Sequence, residues 1–516
     1  MPHAVIVGAG HNGLVSATLL ARAGLQVTVL EAHDVIGGAC RTEQPFAKVP
    51  GLRHSTGAYL LGLMPPEIMS ELGLDLVLHR RDPHYFLPTI DGRHVSFGKD
   101  AAANARGMAE VFGARALEAD TAMQAELAML REDLAPSWLT EPMSLDATAD
   151  RFVRPALRQA FIALCTGSVA EYLSRFDFGS DLLIAMYAVT DGLSGLTAGP
   201  DTPGSGHNFL VHNMCRLPGS DGTWMIAEGG MGSVTAQLAH RAREAGVTIR
   251  TSAKVTSIEV SAATTRSVTL SDGERIEAEL VIGACDPHQL RALLDPGILP
   301  EELEARIEGW AAVTGTTMKV NLAMTAMPKL ACLPATAPSP LGATTHLLPG
   351  TESGGDPMGA LRRMWSQVQA GELPDWPTIE WYVHTTVDPT LQDEHGHHSS
   401  ALFVQSVPFH LVGTTWEAQR ERYADHLLDI VERFAPGTRA LVADRLTLAP
   451  PDIQERFGIT GGHIHHVDNS VSFADRMPYA TGVDGLYAGS AGCHPGGSVV
   501  GAAGYNVARR VLADLE

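Results

Sequence analysis

Residues 4–7, Ala-Val-Ile-Val, are apolar without a break, and a glycine-rich stretch follows at once. An unbroken apolar run of this length reads as a parallel strand buried on both faces. Apolar residues then recur with helical spacing at Leu14, Ala17 and Ala21, predicting a helix over 14–23 that Gly24 ends. A second strand is expected over 26–30, closed by Glu31. Further on, residues 101–134 and much of 144–188 are rich in Ala, Glu, Leu and Met at helical spacing, whereas 192–222 is a loop region dense in Gly, Pro, Ser and Asp. Strands are predicted over 224–227, 247–250, 255–260 and 280–284, with a helix over 233–245 and a hairpin turn at Ser271-Asp272-Gly273. Alternation and β-branched content over 317–322, 378–386 and 401–407 predict a second sheet, and 417–434 is a strongly amphipathic helix. A short strand over 485–489 and a helix over 501–512 end the chain.

The first 42 residues carry the most specific chemistry. Gly8 permits the tight turn after the strand, Gly10 lets the backbone approach a pyrophosphate, and Gly13 lets the helix pack on the strand. The helix N-terminus then faces phosphate charge. Glu31 stands about 20 residues on, where a carboxylate accepts from ribose hydroxyls. A lone glycine motif is weak, but strand, glycines, helix, glycine, strand and acid in this order predict a dinucleotide fold. Gly37 and Gly38 bring a second backbone turn close to the nucleotide, and Arg41 can fork onto its pyrophosphate. An NAD fold normally enters its next helix directly, so this second turn points to FAD.

The expected architecture is α/β: a doubly wound, Rossmann-like FAD-binding domain, a mixed-sheet substrate domain and a helical insertion. FAD-binding parts are expected at 1–100, 223–290 and 456–516, the helical insertion at 101–222 and the substrate domain at 291–455. Gly229-Gly230-Met231-Gly232 is not read as a second nucleotide site, because Thr235 takes the third glycine position and no acid ends the strand at Arg250.

The chain has 516 residues, enough for two or three domains. Lys and Arg total 37 against 58 for Asp and Glu, and the net charge of −21 argues against nucleic acid as a partner. Six cysteines without a C-x-x-C pair read as free thiols of a cytoplasmic protein. No apolar stretch is long enough to span a bilayer, although 59–64 and 182–187 could offer an apolar face to a membrane surface or a lipophilic substrate.

The GxGxxG, acid and Gly37-Gly38 pattern resembles that of the amine oxidase and phytoene desaturase flavoproteins. Arg81-Asp82-Pro83, Glu228-Gly229-Gly230-Met231-Gly232, Asp388-Pro389-Thr390, the 461–466 histidine segment and His494-Pro495-Gly496-Gly497 narrow the resemblance to the phytoene-dehydrogenase-like branch, almost end to end. It implies that the backbone near Val255 lies against the adenine and that the glycine-rich segment from Gly489 through Gly497 to Gly501 approaches the flavin. A helix N-terminus there would stabilise charge on the reduced ring. Many members place an acid after the glycine of the final strand; Ser490 here leaves the ribityl contact to the backbone or the hydroxyl.

Flavin chemistry asks little of protein side chains beyond positioning and, for some substrates, a base. The resemblance makes His494 the first candidate base, with His54 next and Tyr59 as a pocket wall. His395, His397 and His398, and His463, His465 and His466, lack a metal-ligand pattern and read as a loop tip and a pocket wall. The expected reaction is C–C dehydrogenation of a lipophilic or unsaturated small molecule, with electrons passing to oxygen or a quinone. C–N oxidation, a redox-neutral isomerase or hydratase, and a non-catalytic FAD-binding protein are the alternatives.

Overall fold

The computed structural model describes residues 2–310 and 315–516. Its nucleotide-side sheet has five parallel strands in the order Leu486–Ala488, Leu280–Gly283, His3–Val7, Gln26–Leu30, Thr248–Arg250. The central pair, His3–Val7 and Leu280–Gly283, is buried on both faces, as unbroken apolar runs require. Helix His11–Arg22 connects the first two strands and packs against helices Gly232–Glu244 and Ala502–Leu515. Strand order reverses beside His3–Val7, which creates the crevice at the carboxyl ends of the strands where ligands bind in such sheets.

A seven-stranded mixed sheet runs Val442–Leu448, Thr317–Met324, His398–Gln405, Ile379–Val383, Thr344–Leu347, Tyr85–Pro88, His94–Phe97. Period-two alternation splits its side chains between two buried environments. Met318, Val320, Leu322, Leu402, Val404 and Trp381 pack under helix Trp416–Phe434. Lys319, Asn321, Phe403, Glu380 and Tyr382 occupy the alternate positions, and all but Asn321 line the large cavity. Residues 85–97, which the sequence groups with the first nucleotide segment, therefore extend the second sheet.

Two other predicted strands sit differently from the pattern's suggestion. Met225–Ala227 does not enter the parallel sheet; it pairs antiparallel with Leu78–Arg80. Val255–Ser261 belongs to a three-stranded meander with Thr264–Leu270 and Arg275–Glu277. Between them, the glycines at 229–232 abut the hook: Met231 N–H donates to Ser55 Oγ (3.0 Å) and Gly232 N–H to Thr42 Oγ1 (2.9 Å). These side chains occupy the helix N-terminus where a second phosphate would have to sit.

Helices Ala101–Phe112, Ala114–Leu134, Leu145–Phe152, Arg158–Thr166, Val169–Ser174, Asp181–Tyr187 and Ser205–His212 make up the helical insertion. A π-helical turn, Ala188–Gly192, breaks the regular winding after Tyr187 and directs Asp191 to the cavity. Such turns recur at functional sites.

Candidate functional site

A continuous cavity of about 880 Å³ joins the crevice of the parallel sheet, the free face of the mixed sheet and the helical insertion. Its nucleotide arm is lined by Gly8, Gly10, Glu31, Gly37, Gly38 and Val255. Gly10 caps helix His11–Arg22 without any side-chain hydrogen bond, so the helix offers bare N–H groups to the cavity. A Cβ on Gly10 would meet nothing within 4 Å and would project into space a ligand needs, whereas one on Gly13 would overlap the Gly8 carbonyl oxygen. Glu31 accepts from Ala9 N–H (2.9 Å) and His33 N–H (3.0 Å), which fixes its carboxylate at the cavity wall. An uncapped helix end, glycines that leave room and a fixed acid fit the adenosine and pyrophosphate parts of FAD.

Arg41 takes a different course from the expected fork onto pyrophosphate. Its guanidinium donates to the Arg456 carbonyl, lies 3.7 Å from Glu43 and stacks 4.7 Å over the Phe457 ring, and it does not line the cavity. Phe457 itself does, so Arg41 braces that wall from behind.

The C-terminal glycine segment also works one layer back. Gly489 N–H donates to Gly283 O (2.9 Å), continuing the sheet. Ser490 Oγ accepts from Gly492 N–H (3.1 Å), Gly497 N–H donates to Asn469 Oδ1 (2.8 Å), and Gly501 is the left-handed N-cap of the last helix. None of these four lines the cavity; Ala491, Ser498 and Val499 do. Arg476, 1 % exposed, holds the segment with all five of its N–H donors: Nε to Cys493 O, Nη1 to Asp468 O and Val471 O, Nη2 to Val467 O and Ala491 O.

His494 is not placed as a base. It lies outside the cavity with Nε2 3.0 Å from the Ser137 carbonyl oxygen, its ring edge-on to Phe473, and burial pushes its pKa down to about 4. His54 is likewise behind the wall. Its Nε2 donates to Asn321 Oδ1 (2.8 Å), its Nδ1 accepts from Ser399 Oγ (2.6 Å), and burial lowers it to about 4. Tyr59 does line the cavity, and its hydroxyl donates to the same Asn321 oxygen (2.6 Å). His54 and Asn321 thus hold the Tyr59 ring in place.

The side chains that face the cavity at the sheet junction are Lys319, Phe403, Glu380 and Tyr382, with Arg81 beside them. Lys319 Nζ lies 4.1 Å from the Phe403 ring centroid and 4.3 Å from that of Tyr59, and burial pushes its pKa down to about 7. Glu380 is occupied: Tyr382 OH and Gln405 Nε2 donate to it, and His346 Nε2 lies 3.7 Å away. Burial would raise its pKa, but His346 and Tyr382 outweigh that and hold it below the usual carboxylate range. In the insertion arm burial has the opposite outcome, raising Asp120 and pushing Asp191 up to about 7. Sequence reasoning missed Lys319, although a signal existed: a lysine in an otherwise uncharged, fully buried strand is rarely structural.

His465 and His466 line the cavity, whereas His463 does not and lies 3.2 Å from Asp468; His397 pairs with Asp393. All six cysteines are free, Cys40 and Cys285 facing the cavity. Among the described residues no helix is long and apolar enough to cross a membrane.

A parallel sheet with this hook, joined to a mixed sheet over one shared cavity, defines an FAD-dependent oxidoreductase. Comparison with known proteins agrees: residues 13–375 match the family described as flavin containing amine oxidoreductase, and the chain belongs to it. It is 33% identical to the mouse (Mus musculus) pyridine nucleotide-disulfide oxidoreductase domain-containing protein 2, over 99% of this chain and 94% of that protein. It is 25% identical to hydroxyneurosporene desaturase of Cereibacter sphaeroides, over 100% of this chain and 98% of that one. Wild-type putrescine oxidase, solved with putrescine bound, shares the fold with a TM-score of 0.62 at 17% identity, covering 100% of this chain and 98% of that one.

Proposed function

We propose that this chain dehydrogenates a C–C bond of an apolar or unsaturated small molecule in the cytoplasm and passes the electrons to oxygen or a quinone. The observation that carries the reading is the lining of the cavity at the sheet junction. Lys319 and Arg81 both face it, and the one carboxylate beside them, Glu380, is occupied by Tyr382 and Gln405. A protonated amine would find there a carboxylate whose oxygens are already hydrogen-bonded, whereas an alkyl or polyene chain would meet the rings of Tyr59, Phe403 and Tyr382. The similarity to a desaturase supports the same choice. Thr42 and Ser55 fill the only other glycine-rich helix start among the described residues that the sequence had raised as a nucleotide site, which favours an acceptor needing none.

Bound FAD supplies a two-electron acceptor for hydride. The chain's own residues do the rest. The N–H groups at the start of helix His11–Arg22 and Glu31 would hold the dinucleotide, and Tyr59 and Phe403 exclude water from the substrate. Forming a C=C bond also requires loss of a proton from the adjacent carbon. Lys319 Nζ, with a pKa near 7, is available as the free amine at neutral pH to take it.

Anaerobic mixing of the yellow holoprotein with polyenes, acyl chains and alkylamines tests the reading. Loss of the visible flavin absorbance with a polyene or acyl chain and not with an amine is expected. Bleaching by amines alone would replace it with C–N oxidation, and product formation with unchanged colour would indicate isomerisation.

A further inference from the structure

Arg81 belongs to a motif that the dehydrogenase reading leaves without a role. It is 3 % exposed and lines the cavity. Nε donates to the Trp224 carbonyl (3.1 Å) and Nη1 to Thr344 Oγ1 (2.8 Å). Glu380 acts on it only through space, its carboxylate oxygens being taken by Tyr382 and Gln405. Arg476 provides the internal contrast: equally buried, it spends all five donors on carbonyl oxygens and needs nothing more. A buried guanidinium with donors to spare, opening on a cavity, is a place for a planar anion that can accept two parallel hydrogen bonds.

From these contacts we infer that Arg81 is a substrate-binding residue that anchors the carboxylate of a monoanionic, otherwise apolar chain. One guanidinium matches one negative charge, and the nearby Glu380 disfavours a dianion such as a phosphate monoester. The chain itself has a floor to lie on. Lys319 pairs with Phe403, Phe403 with Glu380, and Glu380 with His346 across neighbouring strands, and the Arg81 partner Thr344 lies on the last of these, three strands from Lys319. At 4.7–4.9 Å per strand this is ~14 Å, an alkyl-chain length away from the amine. Leu60, Phe97, Met108 and Met186 give the cavity apolar walls.

The inference rests on the dehydrogenase reading for the chain, but the anchor is testable by binding alone. Isothermal titration of the flavin-loaded protein with decanoate, decanol and decylamine should show decanoate binding at least about tenfold tighter than either of the others. R81Q should reduce that preference to about threefold or less while leaving decanol unchanged, and R81K should keep part of it. Decanol or decylamine binding as tightly as decanoate to the wild type, or an undiminished preference in R81Q, would overturn the anchor. Should R81Q not fold, the wild-type ranking decides, together with T344V, which removes the hydroxyl that orients Nη1 and should weaken decanoate severalfold. Preferred binding of carboxylates with no anaerobic bleaching by any saturated or unsaturated acid leaves the anchor standing and defeats the dehydrogenase. Bleaching by uncharged polyenes without a carboxylate preference does the reverse.

Discussion

Lys319 and Phe403 are direct partners across adjacent antiparallel strands, and the lysine Nζ rests 4.1 Å from the centre of the partner ring. The pairing places an ionisable amine on the free face of a sheet whose other face is hydrocarbon packed under a helix.

That burial makes stability depend on pH. The Lys319 pKa is about 7 in the folded chain and about 10.4 when unfolded, so between these values the unfolded chain binds the extra proton and stability rises with pH. Below pH 7 the cost of the buried ammonium is present in full. K319M, lacking the group, should therefore unfold at higher temperature than wild type at pH 6.5, and the gap should narrow steadily as the pH rises from about 7 towards about 10.4. A thermal-melt gap independent of pH would show that the amine is not shifted.

Gly10 and Gly13 separate cofactor binding from folding. G10V places its side chain in open cavity and should give a folded, colourless protein with native circular dichroism. G13V drives Cβ into the Gly8 carbonyl and should lower yield and melting temperature as well as colour. A fully yellow G10V would remove the pyrophosphate from the hook.

His494 should prove structural. H494Q can still reach the Ser137 carbonyl and should leave the rate of flavin reduction within about threefold, while H494A should cost about 1–3 kcal/mol of stability by leaving that buried carbonyl bare. A hundredfold or greater rate loss in a well-folded H494Q would restore the histidine to the chemistry.

Arg476 should matter more than any single glycine of the segment it braces. R476M removes five hydrogen bonds to carbonyls of residues 467–493 and should destabilise by about 3–5 kcal/mol, with accelerated flavin release. R476K cannot reproduce the fork and should recover little of either. Unchanged flavin release in R476M would show that the segment is held by other means.

The nucleotide half of the molecule was legible because its signals are local. Strand, glycines, helix and Glu31 lie within 31 residues, and each constrains its neighbours through backbone geometry. The substrate half depends on pairings between residues far apart in sequence. Alternation in Thr317–Met324 announced a strand, but only its pairing with His398–Gln405 shows which alternate residues meet the cavity. The same distinction explains the misreadings of His494 and Arg41. Their motifs bring the backbone near the cofactor side, yet Ser137 and Arg456, contributed by remote segments, turn the side chains away from it.

The five-stranded sheet takes its edge strand, Leu486–Ala488, from a segment far downstream of the glycine hook and therefore made long after it. At ribosomal speeds of 5–20 residues per second, the finished hook waits roughly 20 to 90 s for that strand. Once Leu280–Gly283 has emerged it presents an unpaired edge for the rest of this interval, while the loop that Arg476 ties down is still to come. A finished crevice for the cofactor therefore waits on that strand and that loop, however early the hook itself is made.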